Sequence, residues 1–191
     1  MIRALLFKDD QQLIEGCLRG DQKAQKHLYD QYSGKLFALC LRYMKDHDLA
    51  QDVLIEGFMR IFEKLEQFKH EGSFEGWMKR LMVNHALMTL RKNRATLMEL
   101  NWDDERSELK EEVLQSDHLE AEDMLSMVKA LPVGYRTVFN LYAIEGYSHK
   151  EIGDMLQISE NTSKSQLSRA RVLLQKMMHT SENINNAENG K

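Results

Sequence analysis

The chain has 191 residues, room for one medium domain or two small ones, and its 42% hydrophobic and 29% charged residues are ordinary for a soluble globular protein. No apolar run approaches the roughly 20 residues a bilayer span needs, and Met1–Phe7 runs straight into Lys8-Asp9-Asp10, a poor secretory leader, so no membrane insertion is expected. A cytoplasmic location fits two cysteines, Cys17 and Cys40, that lie far apart and match neither metal nor redox spacing.

With one proline, ten glycines and almost no period-two alternation, the composition predicts an all-α protein. The net charge of −4 argues against a nucleic-acid binder until its distribution is followed. Leu97–Asp123 holds eleven acids against Arg106 and Lys110, a net of −9, so the rest of the chain carries +5. Two stretches contain no acid: Trp77–Arg94, with Lys79, Arg80, Arg91, Lys92 and Arg94, and Ser163–His179, with Lys164, Arg169, Arg171 and Lys176. Two basic patches separated by an acidic spacer suggest two nucleic-acid contacts, although on charge alone two solvated helix faces would be the more common outcome.

Taken in chain order, Leu13–Leu18 reads as a short helix ended by Gly20. Asp21 caps a second, with the stripe Leu28, Tyr32, Leu36, Leu39 and Tyr43, which Cys40 joins as a buried thiol. A third runs from about Asp48 to Gln67 with Leu54, Phe58, Ile61 and Leu65 inward. A fourth starts near Ser73, buried through Phe74, Trp77, Leu81 and His85, the last as a satisfied core residue. These form a first domain over residues 1–95, and 96–119 read as an acidic linker. A second domain over 120–179 has expected helices at 121–131, 134–145, 148–156 and 160–178, and the Asn-rich 180–191 reads as a disordered tail.

The sharpest local signal is a helix-turn-helix at Tyr147–Met178. Ser148 and Glu151 fit a capping box, Ile152 and Leu156 face inward, Gly153 is small where a second helix would cross, Ile158 plugs the turn, and Ser159 caps the next helix. Phased at about 100° per residue, that helix turns Leu167, Ala170, Leu174 and Met177 to the core. Asn161, Lys164, Ser165, Ser168 and Arg169 turn outward, with Arg171 at the flank. Short, polar and basic side chains are what a major groove accepts: Arg and Lys suit guanine edges, Ser suits phosphates or bases, and Arg171 suits a phosphate.

The first domain narrows the reading. Asp48-Leu-Ala-Gln-Asp-Val-Leu-Ile-Glu-Gly-Phe-Met-Arg-Ile-Phe62 resembles the polymerase-binding helix of extracytoplasmic-function RNA polymerase sigma factors, and Phe68 to Asn84 resembles their promoter-opening segment. Leu131-Pro132, Tyr147-Ser-His-Lys-Glu-Ile152 and Ser168-Arg-Ala-Arg171 continue the resemblance in the same order, over about residues 10–178. It implies a transcription initiation factor whose first domain docks on a coiled coil of the polymerase's largest subunit and grips the −10 element, while the second reads the −35 element.

Carried over residue by residue, Asp48, Gln51, Asp52, Glu56 and Arg60 would face the polymerase, with Ile55 and Gln51 departing from the glutamine and glutamate common in relatives. The loop Phe68–Gly72, with Phe68, Lys69 and His70, would pocket a base of the melted strand, and Arg80, Asn84 and Arg91 would hold that strand. The implied partners are core RNA polymerase, promoter DNA and an anti-sigma factor, the protein itself being a monomer when free. No enzyme, metal or cofactor is expected: the seven histidines lack ligand spacing, and no phosphate loop or nucleophile motif is present. The alternative within the same resemblance is a sigma-like decoy that binds an anti-sigma factor and never touches DNA; retention of Lys164 and Arg169 speaks against it.

Overall fold

The computed structural model describes residues 10–92 and 121–188, every regular element among them helical. The expected linker at 96–119, Arg94 and residues 189–191 lie outside the described residues. The chain divides into two compact units after Thr89, near the boundary expected at 95.

The first unit contains α1 (Asp10–Leu18), α2 (Gln22–Tyr43), α3 (His47–Glu63), a 3-10 turn (Leu65–Gln67) and α4 (Phe74–Lys92) as far as Thr89. The carboxylates of Asp21 and Asp46 cap α2 and α3, accepting from Lys23 N and Leu49 N, each at 2.8 Å. Asp48 in the first turn of α3 and Arg60 in the last complement the helix dipole. The α2 stripe is buried as its spacing predicts, Cys40 included, and burial pushes the Cys40 thiol up to about 12, so it packs as an apolar group. Leu54, Phe58, Ile61 and Leu65 are buried too, although Leu65 sits in the 3-10 turn rather than in a helix running to Gln67. Each fully buried leucine in this core contributes about 1.5–3 kcal/mol.

In α4 the buried face is rotated from expectation. Phe74, Met78, Met82 and His85 are inside, whereas Trp77 and Leu81 are only half-buried. The i, i+4 run through the two methionines wins because Gly57 of α3 leaves the space that Met82 fills: a Cβ on Gly57 would lie 2.3 Å from the Met82 sulfur. Flexible thioethers fill such irregular gaps better than an indole. Tyr32 Oη donates to Asp10 at 2.7 Å, tying α1 to α2. Glu75 bridges Lys35 of α2 (2.7 Å) and Lys79 (2.9 Å), tying α2 to α4.

The second unit contains α5 (Ala121–Ala130), α6 (Val133–Phe139) running into a π-helical turn (Asn140–Ile144), α7 (His149–Leu156) and α8 (Glu160–Glu188). The buried Arg136 donates from Nη1 to the carbonyls of Lys129 (3.0 Å) and Leu131 (3.4 Å), satisfying the end of α5 where Pro132 forbids another turn. The helix expected at 134–145 is therefore an α-segment plus a wider π turn, closed by Glu145 N donating to Asn140 O at 2.9 Å. Helix α8 continues to Glu188, into the stretch read from sequence as a tail, with no glycine or proline to stop it before Gly190.

Candidate nucleic-acid interface

In the second unit, the helix-turn-helix is assembled by local chemistry that the sequence spells out. Ser148 N donates to the Glu151 carboxylate at 2.8 Å and Glu151 N to Ser148 Oγ at 3.3 Å, closing the capping box. Helix α7 ends on Gln157 in the left-handed region (φ 59°), and Ile158 N returns to Gly153 O at 3.0 Å. A Cβ on Gly153 would stand 2.9 Å from Ile158 O. The small residue is thus required by the backbone of the turn, not by a crossing helix. Ile158 is half-buried under the turn, and Ser159 Oγ accepts from Thr162 N at 2.9 Å to start α8.

Along α8, Leu167 and Ala170 are buried, Leu174 and Met177 half-buried. Asn161, Lys164, Ser165, Ser168 and Arg171 are exposed and Arg169 is half-exposed, so the −35 candidates share one accessible side. Sequence phasing missed two polar residues on the inner side, Ser163 and Gln166, both buried. Ser163 Oγ shares a 2.9 Å hydrogen bond with His149 Nδ1 on α7. The His149 ring stacks on Tyr142 (4.4 Å, 19°), and the Arg171 guanidinium lies over the same Tyr142 at 5.9 Å. Burial, reinforced by Lys164 and Arg171 against an opposing pull from Glu160, holds the His149 imidazole below its ordinary value and keeps it neutral at pH 7. The π turn, α7 and α8 are thereby joined around one aromatic ring that carries Arg171.

Lys164 pairs with Glu160 at 2.6 Å, which lowers the Glu160 carboxyl below its ordinary value. Both groups are half-exposed or more, so water and salt screen the pair and a phosphate or base edge can take the lysine over.

In the first unit, the loop Phe68–Ser73 is bent by two left-handed residues, His70 (φ 57°) and Gly72 (φ 89°). For histidine that conformation is uncommon and costs of order 1 kcal/mol, which the surrounding packing must offset. The anchor is Phe68, whose ring is buried against Phe74 (5.1 Å), Trp77 (5.4 Å) and His70 (4.8 Å). Phe68 therefore shapes the loop from below, while Lys69 and His70 are the exposed members. On α4, Arg80, Asn84 and Arg91 are all exposed.

The polymerase candidates lie on α3. Asp48, Gln51, Asp52 and Glu56 are exposed and Arg60 is half-exposed. Two exposed apolar side chains that the charge-based reading passed over, Ile55 (48% exposed) and Met59 (58%), fall on the stripe of Asp48 and Asp52. The signal was the i, i+4 spacing of two large apolar residues on an otherwise acidic face. Glu56 Oε2 lies 3.2 Å from Nε2 of His85 on α4.

Comparison with known proteins gives these surfaces a context. Residues 28–96 match the family model described as Sigma-70 region 2, and residues 121–174 match that described as Sigma-70, region 4. The RNA polymerase sigma-H factor of Pseudomonas aeruginosa is 28% identical over 186 residues, covering 91% of this chain and 96% of the relative. The ECF RNA polymerase sigma-E factor of Haemophilus influenzae is 27% identical over 178 residues, covering 87% and 93%. The ECF RNA polymerase sigma factor SigW of Bacillus subtilis is 27% identical over 177 residues, covering 86% and 94%. Among solved structures, the sigma factor RpoE of Bartonella quintana, in complex with the anti-sigma factor NepR, superposes with a TM-score of 0.53 at 20% identity, covering 81% of this chain and 96% of that one, a likeness of fold.

Proposed function

The chain belongs to the extracytoplasmic-function branch of the sigma-70 family, initiation factors that direct core RNA polymerase to promoters, and from that membership we propose how its residues divide the work. The observation that carries the proposal is that the described cations of both acid-free stretches are accessible, Arg80, Arg91 and Lys92 on α4 and Lys164, Arg171 and Lys176 on α8 being exposed and Lys79 and Arg169 partly so.

Helix α3 docks on core polymerase through a mixed surface. Ile55 and Met59 supply apolar contact that is desolvated on binding, while Asp48, Gln51 and Asp52, with Arg60 at the edge, fix orientation and speed encounter with a basic partner surface. Helix α4 and its preceding loop take the −10 strand. Arg80 and Arg91 hold phosphates, Asn84 bonds a base or the backbone, and Lys69 and His70 rim a pocket that Phe68 supports. Helix α8 enters the major groove at the −35 element with Asn161, Lys164, Ser165, Ser168 and Arg169 toward base edges, and Arg171 toward phosphate.

The chemistry of RNA synthesis belongs to the polymerase; this chain contributes promoter choice and strand opening and acts without catalysis or a cofactor of its own. It works in the cytoplasm, where its polymerase is, and among the described residues no helix is long and apolar enough to cross a membrane. An anti-sigma factor is the natural restraint, as the RpoE of Bartonella quintana, similar in fold, is found in complex with the anti-sigma factor NepR. The docking assignment is tested by Asp52→Lys. Reversing one charge on the face is expected to weaken core binding about tenfold with the melting temperature unchanged. Normal core affinity in that variant would place the docking face elsewhere.

A further inference from the structure

Glu56 and His85 join two helices that serve different partners. Glu56 stands on α3 next to Ile55, on the docking helix, with its side chain 64% exposed. His85 stands on α4 next to Asn84 and is 3% exposed. The carboxylate nevertheless reaches the imidazole, Oε2 lying 3.2 Å from Nε2. The neighbouring Gly57 leaves the space that Met82 fills beside the pair, since a Cβ there would lie 2.3 Å from the Met82 sulfur and in ordinary contact, 3.8 Å, with His85 Cδ2. Because consecutive helical residues are about 100° apart, fixing the azimuth of His85 fixes that of Asn84. At the radius of a side chain, about 5–6 Å from the axis, a 10° rotation of α4 moves Asn84 by about 1 Å. A displacement of that size is enough to spoil a hydrogen bond to a base.

We propose that Glu56 and His85 are positioning residues, a link through which the docking helix sets the rotation of α4 and so tunes the grip on the −10 strand. The link rests on the assignment of α3 and α4 given above. Glu56 then acts toward DNA through His85, and polymerase docking on α3 and strand capture on α4 are energetically coupled within the first unit.

The test uses holoenzyme assembled at saturating core polymerase and a fluorescent single strand carrying the −10 sequence found upstream of its own transcript starts. Glu56→Ala and His85→Phe are each expected to weaken strand binding about fivefold, and the double variant to be no weaker than either. His85→Phe is expected to keep core affinity within about twofold and to keep −35 duplex binding, which a general loss of structure in the first unit would not leave intact for core. Multiplicative losses, or unchanged strand affinity in both single variants, would overturn the link. Should His85→Phe fail to melt cooperatively, Glu56→Ala decides alone, at the solvent edge of the pair. A wild-type chain that does not bind core overturns the functional reading instead, which separates the two failures.

Discussion

Single residues set the tolerances of this protein, and Gly153 is the clearest case. A Cβ there meets a backbone carbonyl at 2.9 Å, and backbone cannot step aside as a flexible side chain can. Gly153→Ala is therefore expected to destabilise the second unit by about 1–3 kcal/mol, read as a lower midpoint of its denaturant unfolding transition. An unchanged midpoint would mean that the turn relaxes freely. At Glu75 the governing physics is electrostatic. Hydrogen bonds from Lys35 and then Lys79 hold its carboxyl below the ordinary 4.5, so between the two values the unfolded chain binds more protons. The stabilisation is present above about pH 4.5 and is lost as pH falls through the depressed folded value. Glu75→Gln should lower the melting temperature by about 1–4 °C at pH 7, with the gap closing as pH falls through the depressed folded value. A gap that stays constant with pH would assign the effect to packing.

At the scale of elements, legibility followed how local the determining chemistry is. The capping box at Ser148–Glu151, the cap at Ser159 and the stripe of α2 depend on residues a few positions apart, and the sequence spells them out. The face of α4 does not, because Met78 and Met82 displace Trp77 and Leu81 only when Gly57 on another helix makes room. The inward Ser163 was hidden for the same reason, its partner being His149 on another helix, whereas the π turn at Asn140–Ile144 is closed by bonds five and six residues apart that apolar periodicity does not register. The outward face of α8 was legible, yet the Tyr142 ring that orients Arg171 was not. Arg171→Ala should weaken −35 binding evenly across sequences and reduce the salt slope of affinity by about one, whereas Arg169→Ala should relax preference at one position. Equal, sequence-independent losses in both variants would reassign Arg169 to phosphate.

For the whole molecule, charge is organised by region rather than by total. A net of −4 conceals two basic stretches, one on α4 and one on α8, through which one chain can address two elements of a promoter. Long-range attraction to DNA depends on such local fields, not on net charge. The −9 of Leu97–Asp123 separates them in sequence, and such a segment would be repelled by the DNA that its flanking units bind. The most direct measurement is run-off transcription from a genomic DNA library with the purified protein and sigma-free core polymerase. The account predicts transcript starts that share paired −10 and −35 motifs, absent when the protein is withheld. A folded protein that binds core yet yields no such starts would contradict it and favour a decoy that never engages DNA.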